Sequence, residues 1–126
     1  MNQKEYYSPN SKVHVIDDPE FNYWTSSTSS ITSYILQMAK FYKVVSMDFE
    51  FTDNNKEISL VQIAIPSGDC FIFRRKTIDE YIYDLIQDPD IYKLGSGILA
   101  LDQKILIEDM KMNPQGLVDS QVLGIK

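Results

Sequence analysis

The sequence predicts one α/β domain in which helices cover a mixed β-sheet. Three observations indicate this fold class. Residues 43–75 read as three consecutive strands, residues 77–110 alternate between helix and strand, and 126 residues are enough for one hydrophobic core. Strands joined by short turns form an antiparallel meander, whereas strands separated by helices are usually parallel, so we expect both kinds of pairing in one sheet.

The first part of the chain contains a polar end, a short strand and a helix. Residues 1–11 are polar and are expected to form a flexible N-terminus, which places the folded domain at residues 12–126. "KVHVIDD" (12–18) reads as a short strand that ends in a turn. In "SSTSSITSYILQMAKFYK" a run of capping residues precedes apolar positions at helical spacing, which predicts a helix over Ser29–Phe41.

The remaining elements are predicted from strand-like composition and from the helical spacing of apolar residues. "KVVSMDFEF" (43–51), "EISLVQIAIP" (57–66) and "GDCFIFRR" (68–75) are rich in β-branched and aromatic residues and are separated by turn sequences, so they predict the meander. After them the apolar spacing alternates between helix and strand. The expected elements are a helix in "TIDEYIYDLIQD" (77–88), a strand in "IYKLGS" (91–96), a helix in "GILALDQKILIEDM" (97–110) and a further strand beginning in "GLVDSQVLG" (116–124).

The charge and the cysteine content restrict the function and the location. A net charge of −6 argues against a protein that holds nucleic acid by a broad basic face, but not against an enzyme that meets phosphates through bound cations. One cysteine allows no internal disulfide, and no segment reads as a signal peptide or a membrane span. We therefore expect an intracellular protein, nuclear or cytoplasmic, without a membrane partner.

Two carboxylates stand inside the apolar strand 43–51. Asp48 and Glu50 are two residues apart, so they point to the same face of the strand, and like charges side by side cost free energy. A third acid, Asp102, shares a helical stripe with Ile98 and Leu106 at spacings of four residues. A carboxylate on an apolar stripe needs a partner, and a shared divalent cation would satisfy all three acids at once.

Each acid also has a simpler interpretation. A D-x-E pair in a strand most often lies on a solvated face, and a single helix acid is most often exposed or placed near a helix N-terminus. The joint pattern favours the metal hypothesis, because both elements carry the acid on a side that should be buried or face a cleft. Two Mg²⁺-like ions held about 4 Å apart support phosphodiester hydrolysis.

These segments resemble a known family. "VVSMDFEF" followed by "ISLVQIAIPSGDCFIF" is similar to the first motif and hairpin of the DEDD 3′–5′ exonucleases, and to the ribonuclease D branch with the Werner-syndrome exonuclease domain. "IYKLGSGILALDQKIL" resembles the second motif of that branch, and "GLVDSQVLG" resembles the segment that follows. The resemblance runs from about Val13 to the end of the sequence.

The resemblance implies a fold, an activity and a set of roles. The fold would be ribonuclease-H-like, with a mixed five-stranded sheet. The activity would be 3′–5′ exonuclease cleavage of DNA or RNA, at a single-stranded or 3′ end, with two Mg²⁺ or Mn²⁺ ions. Asp48 would bridge both metals, Glu50 would bind the metal on the nucleophile side, and Asp102 would bind the other.

The third motif of the family has no counterpart among residues 1–126. It would supply a fourth aspartate and a tyrosine or histidine that orients water, several dozen residues beyond Asp102. We therefore expect a C-terminally truncated domain that is weakly active or inactive alone. The alternative is a non-catalytic, exonuclease-like module that binds nucleic acid or a protein partner. A carboxylate hydrolase that acts on sugars without metal is a third possibility.

Overall fold

The computed structural model describes residues 5–8, 11–16 and 28–121, with side chains placed for 13–16 and 30–121. Within these residues a single mixed sheet has seven strands in the order β1-β2-β5-β4-β3-β6-β7. The strands are β1 (Glu5–Ser8), β2 (Ser11–Ile16), β3 (Val44–Phe51), β4 (Ile58–Ala64), β5 (Asp69–Arg74), β6 (Tyr92–Gly95) and β7 (Leu117–Asp119). The helices are α1 (Thr28–Tyr42), α2 (Glu80–Gln87) and α3 (Gln103–Glu108).

The pairing of the strands confirms the predicted mixture. β3, β4 and β5 form the antiparallel meander, while β6 runs parallel to β3 and β7 runs parallel to β6. The resemblance implied five strands and the described residues contain seven: the predicted strand at 12–18 is β2, which pairs parallel with the outer side of β5, and β1 folds back on β2 as a hairpin. β1 lies within residues 1–11, where no strand was predicted. This hairpin occupies hydrogen-bonding groups that would otherwise form an open sheet edge.

Alternation along β3 separates a core face from an acid-bearing face. Val45, Met47 and Phe49 are buried, whereas Ser46, Asp48 and Glu50 are exposed. The helices α1 and α2 supply the other half of the core, and α1 contacts both α2 and β3. Burying one side of each strand in this way sets the strand register, because a slip of one residue would place the acids in the core.

The pair α1 and α2 is joined by a polar contact at the start of α2. Asp79 caps α2 by accepting hydrogen bonds from the amides of Tyr81 (3.1 Å) and Ile82 (3.4 Å). The Thr32 hydroxyl of α1 donates to the same carboxylate at 2.6 Å. The predicted helix over 77–88 therefore begins later, at Glu80, since residues 75–77 form a 3₁₀ turn before the cap.

No helix in the described part of the chain is long and apolar enough to cross a membrane.

Lys93 is a buried lysine in the middle of β6. Its side chain is 0% exposed, and its Nζ donates hydrogen bonds to the carbonyls of Asp88 (2.7 Å) and Ile91 (2.6 Å). These bonds close the loop between α2 and β6. Burial lowers the pKa of Lys93 to about 8, and the charge of Asp88 offsets only part of that effect.

The buried lysine predicts a stability change at alkaline pH. Between pH 8 and 10.5 the native state holds fewer protons on Lys93 than the unfolded chain does, so its contribution to stability rises with pH. Relative to Lys93→Met, the wild-type free energy of unfolding should rise by roughly 1–3 kcal/mol across this window. Urea denaturation at several pH values measures this difference. Lys56→Met, in the exposed β3–β4 turn, is the control and should follow the wild type.

Candidate functional site

The acids lie where three parallel strands end. β6 pairs with β3 only from Val44 to Ser46, so Asp48 and Glu50 occupy the part of β3 that extends beyond β6. Chain leaving the carboxyl end of β6 therefore enters the space beside these two acids. Carboxyl ends of parallel strands meet at one edge of a sheet, and side chains from different strands converge there.

A glycine allows this turn to pass close to β3. A Cβ at Gly95 would stand 2.7 Å from the carbonyl oxygen of Met47 and 3.1 Å from Cδ1 of Ile98. Only a residue without a side chain fits between β3 and the turn that follows. Gly97 then takes a positive φ of +72°, which reverses the chain towards Asp102.

The predicted helix over 97–110 is wrong in its first turn. Residues Ile98–Asp102 form a π-helical turn with a kink at Ala100 (φ −91°, ψ −110°), and the regular helix α3 begins only at Gln103. The predicted stripe is kept, because Ile98, Asp102 and Leu106 are all buried. The distortion coincides with hydrogen bonds that leave the turn: Asp119 of β7 accepts from the amides of Gly97 (3.0 Å) and Leu99 (3.2 Å).

Asp102 is buried and lies among other acids. The residue is 9% exposed, while Asp48 and Glu50 on β3 are open to solvent. The pKa of Asp102 is raised to about 6, first by burial and then by the charges of Asp48, Asp119 and Glu50, in that order. The carboxyl group of Asp102 is therefore within electrostatic range of both strand acids and of Asp119.

The acids repel one another without standing in a coordinating arrangement. Across 5–8, 11–16 and 28–121, no three His, Cys, Asp or Glu side chains are grouped as a metal site. Charge repulsion acts over distances much longer than the 2.0–2.6 Å of a bond from Mg²⁺ or Ca²⁺ to oxygen. The acids can therefore repel one another although their oxygens are not close enough together to coordinate one ion. The donor chemistry fits a hard cation, because every member of the cluster offers carboxylate oxygen and carries charge that a cation would offset.

The far end of α3 is fixed independently of this cluster. Asp109, just after α3, accepts a hydrogen bond from the amide of Ile58 at 3.0 Å and pairs with Arg75 at 2.5 Å. Its side chain is 13% exposed. Two buried or nearly buried aspartates, Asp119 and Asp109, thus hold the two ends of the segment that contains Asp102.

Asp119 is the site residue that the sequence analysis missed. It lies within "GLVDSQVLG", a segment that predicts the start of a strand and no site residue. The signal was an acid at the end of a strand after the second motif, and its partners are about twenty residues away in sequence. Local periodicity contains no information on such a contact.

Comparison with known proteins shows the fold. No family model and no curated protein matches the chain. Several solved structures of the EXD2 exonuclease domain match it at 22% identity over 88% of the chain. The TM-score is 0.71 for crystals soaked in Mn and dGMP and 0.68 for crystals soaked in Mg and GMP. The domain without a soak matches with TM-score 0.65, 23% identity and 77% coverage of the chain.

These likenesses confirm the ribonuclease-H-like fold class that the sequence predicted. The mixed sheet, the meander and the covering helices all correspond to an exonuclease-domain architecture. The chain spans 58% of the length of the EXD2 domain in the Mg-soaked crystals. A sequence identity of 22% shows a shared fold, whereas the chemistry depends on the particular residues of the site.

The pKa of Asp102 predicts a stability change in mild acid. The native pKa of about 6 lies above the ordinary value of 3.8, so between these values the folded state binds more protons than the unfolded chain. Wild-type stability relative to Asp102→Asn should therefore fall by roughly 1–3 kcal/mol from pH 4 to pH 7. Chemical denaturation at metal-free pH 4, 5, 6 and 7 tests this. Asp53→Asn, in the exposed turn, should keep the wild-type profile; a parallel profile for Asp102→Asn would contradict the burial of a charged Asp102.

Proposed function

We propose that this chain is a divalent-metal-dependent nuclease of the DEDD 3′–5′ exonuclease type, similar to the ribonuclease D branch. One observation carries the proposal: the charges of Asp48 and Glu50 on β3 act on Asp102, which comes from a different element. Two motifs that are about fifty residues apart in sequence thus meet at one edge of the sheet. The likeness to the EXD2 exonuclease domain supports the fold in which this site would operate.

In this proposal the three acids divide the binding of the cations. Asp48 would contact both ions, with Glu50 and Asp102 each completing one side. When bound, Mg²⁺ or Mn²⁺ activates an attacking water and stabilises the leaving oxygen of a phosphodiester. β3 holds Asp48 opposite Gln62 of β4, and its register shifts directly after Glu50, so both acids stand on a strand fixed from one side. Asp102 is held by the buried stripe on which it lies.

The proposed substrate is the 3′ end of a nucleic acid. A chain with net charge −6 would repel a phosphate backbone, and bound cations at the acidic cluster would reverse that repulsion locally. The EXD2 crystals were soaked in Mn with dGMP and in Mg with GMP, one deoxyribonucleotide and one ribonucleotide. Both DNA and RNA are therefore included as substrates to be tested.

A second function is favoured by a different observation. The acids of the described residues are not arranged as a metal site, and the resemblance implies a fourth carboxylate beyond the three found. A non-catalytic module with an exonuclease-like fold would show this combination. Such a module would bind a nucleic acid or a protein without cleaving, so metal binding and cleavage must be measured separately.

Metal binding is expected to stabilise the chain. A cation bound to the native state raises the melting temperature by mass action, and it also removes repulsion among the acids. At 5 mM Mn²⁺ or Mg²⁺ we expect the Tm to rise by about 2–6 °C. Asp48→Asn should lose most of this increase, whereas Asp53→Asn should keep it. Differential scanning fluorimetry with and without metal makes the measurement, and equal increases in both variants would exclude a metal site at Asp48.

Cleavage is expected to be slow, metal-dependent and directional. The site has three acids, whereas the resemblance implies a fourth acid and a tyrosine or histidine from a third motif that orients the attacking water. The 126-residue chain should therefore release mononucleotides from the 3′ end of labelled single strands at a low rate in Mn²⁺. EDTA, Asp48→Ala and Asp102→Ala should each abolish that activity, while circular dichroism shows a retained fold. Internal cuts, or activity that persists in EDTA, would contradict the proposal. Metal binding without any cleavage would favour the non-catalytic module.

A further inference from the structure

Asp119 is a buried carboxylate that connects β7 to the turn before α3. It is 6% exposed and accepts three backbone hydrogen bonds, from the amides of Gly97 at 3.0 Å, Leu99 at 3.2 Å and Gln121 at 3.0 Å. Two of these donors belong to the turn that leads to Asp102. Amides at the beginning of a helical segment lack acceptors within the segment, so an outside carboxylate satisfies them.

The strand pairing fixes where this carboxylate stands. Gly95 of β6 is the register partner of Asp119, and the amide of Ser120 donates to the carbonyl of Gly95 at 3.1 Å. The backbone of Asp119 is thus held next to the residue from which the turn departs. Its side chain reaches forward to the turn from a position that the sheet determines.

The turn needs such a support because its own hydrogen bonding is irregular. It begins at Gly97 in the left-handed region, is kinked at Ala100 and continues as a π-helical stretch to Asp102. A segment with these dihedral angles has no regular helical ladder to hold its end in place. Asp102 follows Leu99 by three residues, so the bond from the Leu99 amide to Asp119 lies one turn before the acid.

We propose that Asp119 is a positioning residue: its bonds to the amides of Gly97 and Leu99 aim the turn so that Asp102 faces Asp48 and Glu50. The inference rests on the proposed function for its consequence, which is cation binding at that cluster. Outer partners that orient metal ligands typically contribute 10–100-fold to metal affinity. Asp119 itself is not assigned as a ligand.

The first experiment compares two aspartates that hold opposite ends of the same segment. Asp119→Asn keeps the size of the side chain but offers one acceptor oxygen instead of two, and Asp109→Asn makes the matched change at the bond to Ile58. Both variants should melt below the wild type. Only Asp119→Asn should weaken Mn²⁺ binding, by at least about tenfold in titrations followed by electron paramagnetic resonance. Equal losses of affinity in the two variants would reduce Asp119 to a general structural role and overturn the inference.

A second measurement needs no metal and separates this inference from the proposed function. In EDTA at pH 8, repulsion between Asp48 and Asp102 makes the summed Tm gains of Asp48→Asn and Asp102→Asn exceed the gain of the double variant. In the Asp119→Asn background this non-additivity should disappear, because Asp102 no longer faces β3. If it disappears while the wild type binds no Mn²⁺, the positioning role stands and the proposed function fails. If it persists, the positioning role fails, whatever the metal titration gives.

The wild-type chain provides a test that does not depend on folding of the variant. Amides hydrogen-bonded to a buried carboxylate exchange slowly with solvent. In hydrogen-exchange NMR the Gly97 and Leu99 amides should be protected to the same degree as the β6–β7 pairing, and Asp119→Ser should lower their protection. Fast exchange of both amides in the wild type would overturn the inference.

Discussion

Repulsion among carboxylates at the ends of three parallel strands is the constraint on which the rest of the site depends. Asp48 and Glu50 on β3, Asp102 after β6 and Asp119 at the end of β7 bring four acids to one edge of the sheet. Each acid meets the cost differently. Asp48 and Glu50 remain exposed to water. Asp102 binds its proton more tightly, and Asp119 accepts hydrogen bonds from backbone amides. The fold tolerates the cluster because two of the four acids remain in water and backbone amides satisfy a third.

The remainder of the structure supports this edge from both sides of β3. The buried side of β3 packs under α1 and α2, and the Thr32 to Asp79 bond joins those helices at the point where α2 begins. On the other side of β3, Lys93 closes the loop that leads into β6, and Gly95 lets the chain pass close to Met47. Strand ends supported in this way keep charged side chains within a narrow range of positions, which a binding site built on strands requires.

The sequence predicted what local periodicity encodes. Period-two alternation placed Asp48 and Glu50 together on the non-core face, and the spacing of Ile98, Asp102 and Leu106 marked the stripe that the structure buries. The π-helical turn and the role of Asp119 were not predictable in that way, because the bonds that produce them join residues about twenty positions apart. The β1 strand was missed for a related reason: its segment is polar, and its stability comes from pairing with β2.

The aspartates of this chain differ in what they contribute to the fold, and that difference is the strongest physical argument for function. The carboxylates of Asp79, Asp109 and Asp119 each accept hydrogen bonds from backbone amides that would otherwise lack a partner. Their presence is therefore explained by what they contribute to the stability of the fold. Asp102 has the opposite setting, since burial and three neighbouring acids all disfavour its charge. An apolar residue would fit its stripe at lower cost. A buried group that opposes folding at a sheet edge, within range of three other acids, is the observation on which the proposed cation site rests.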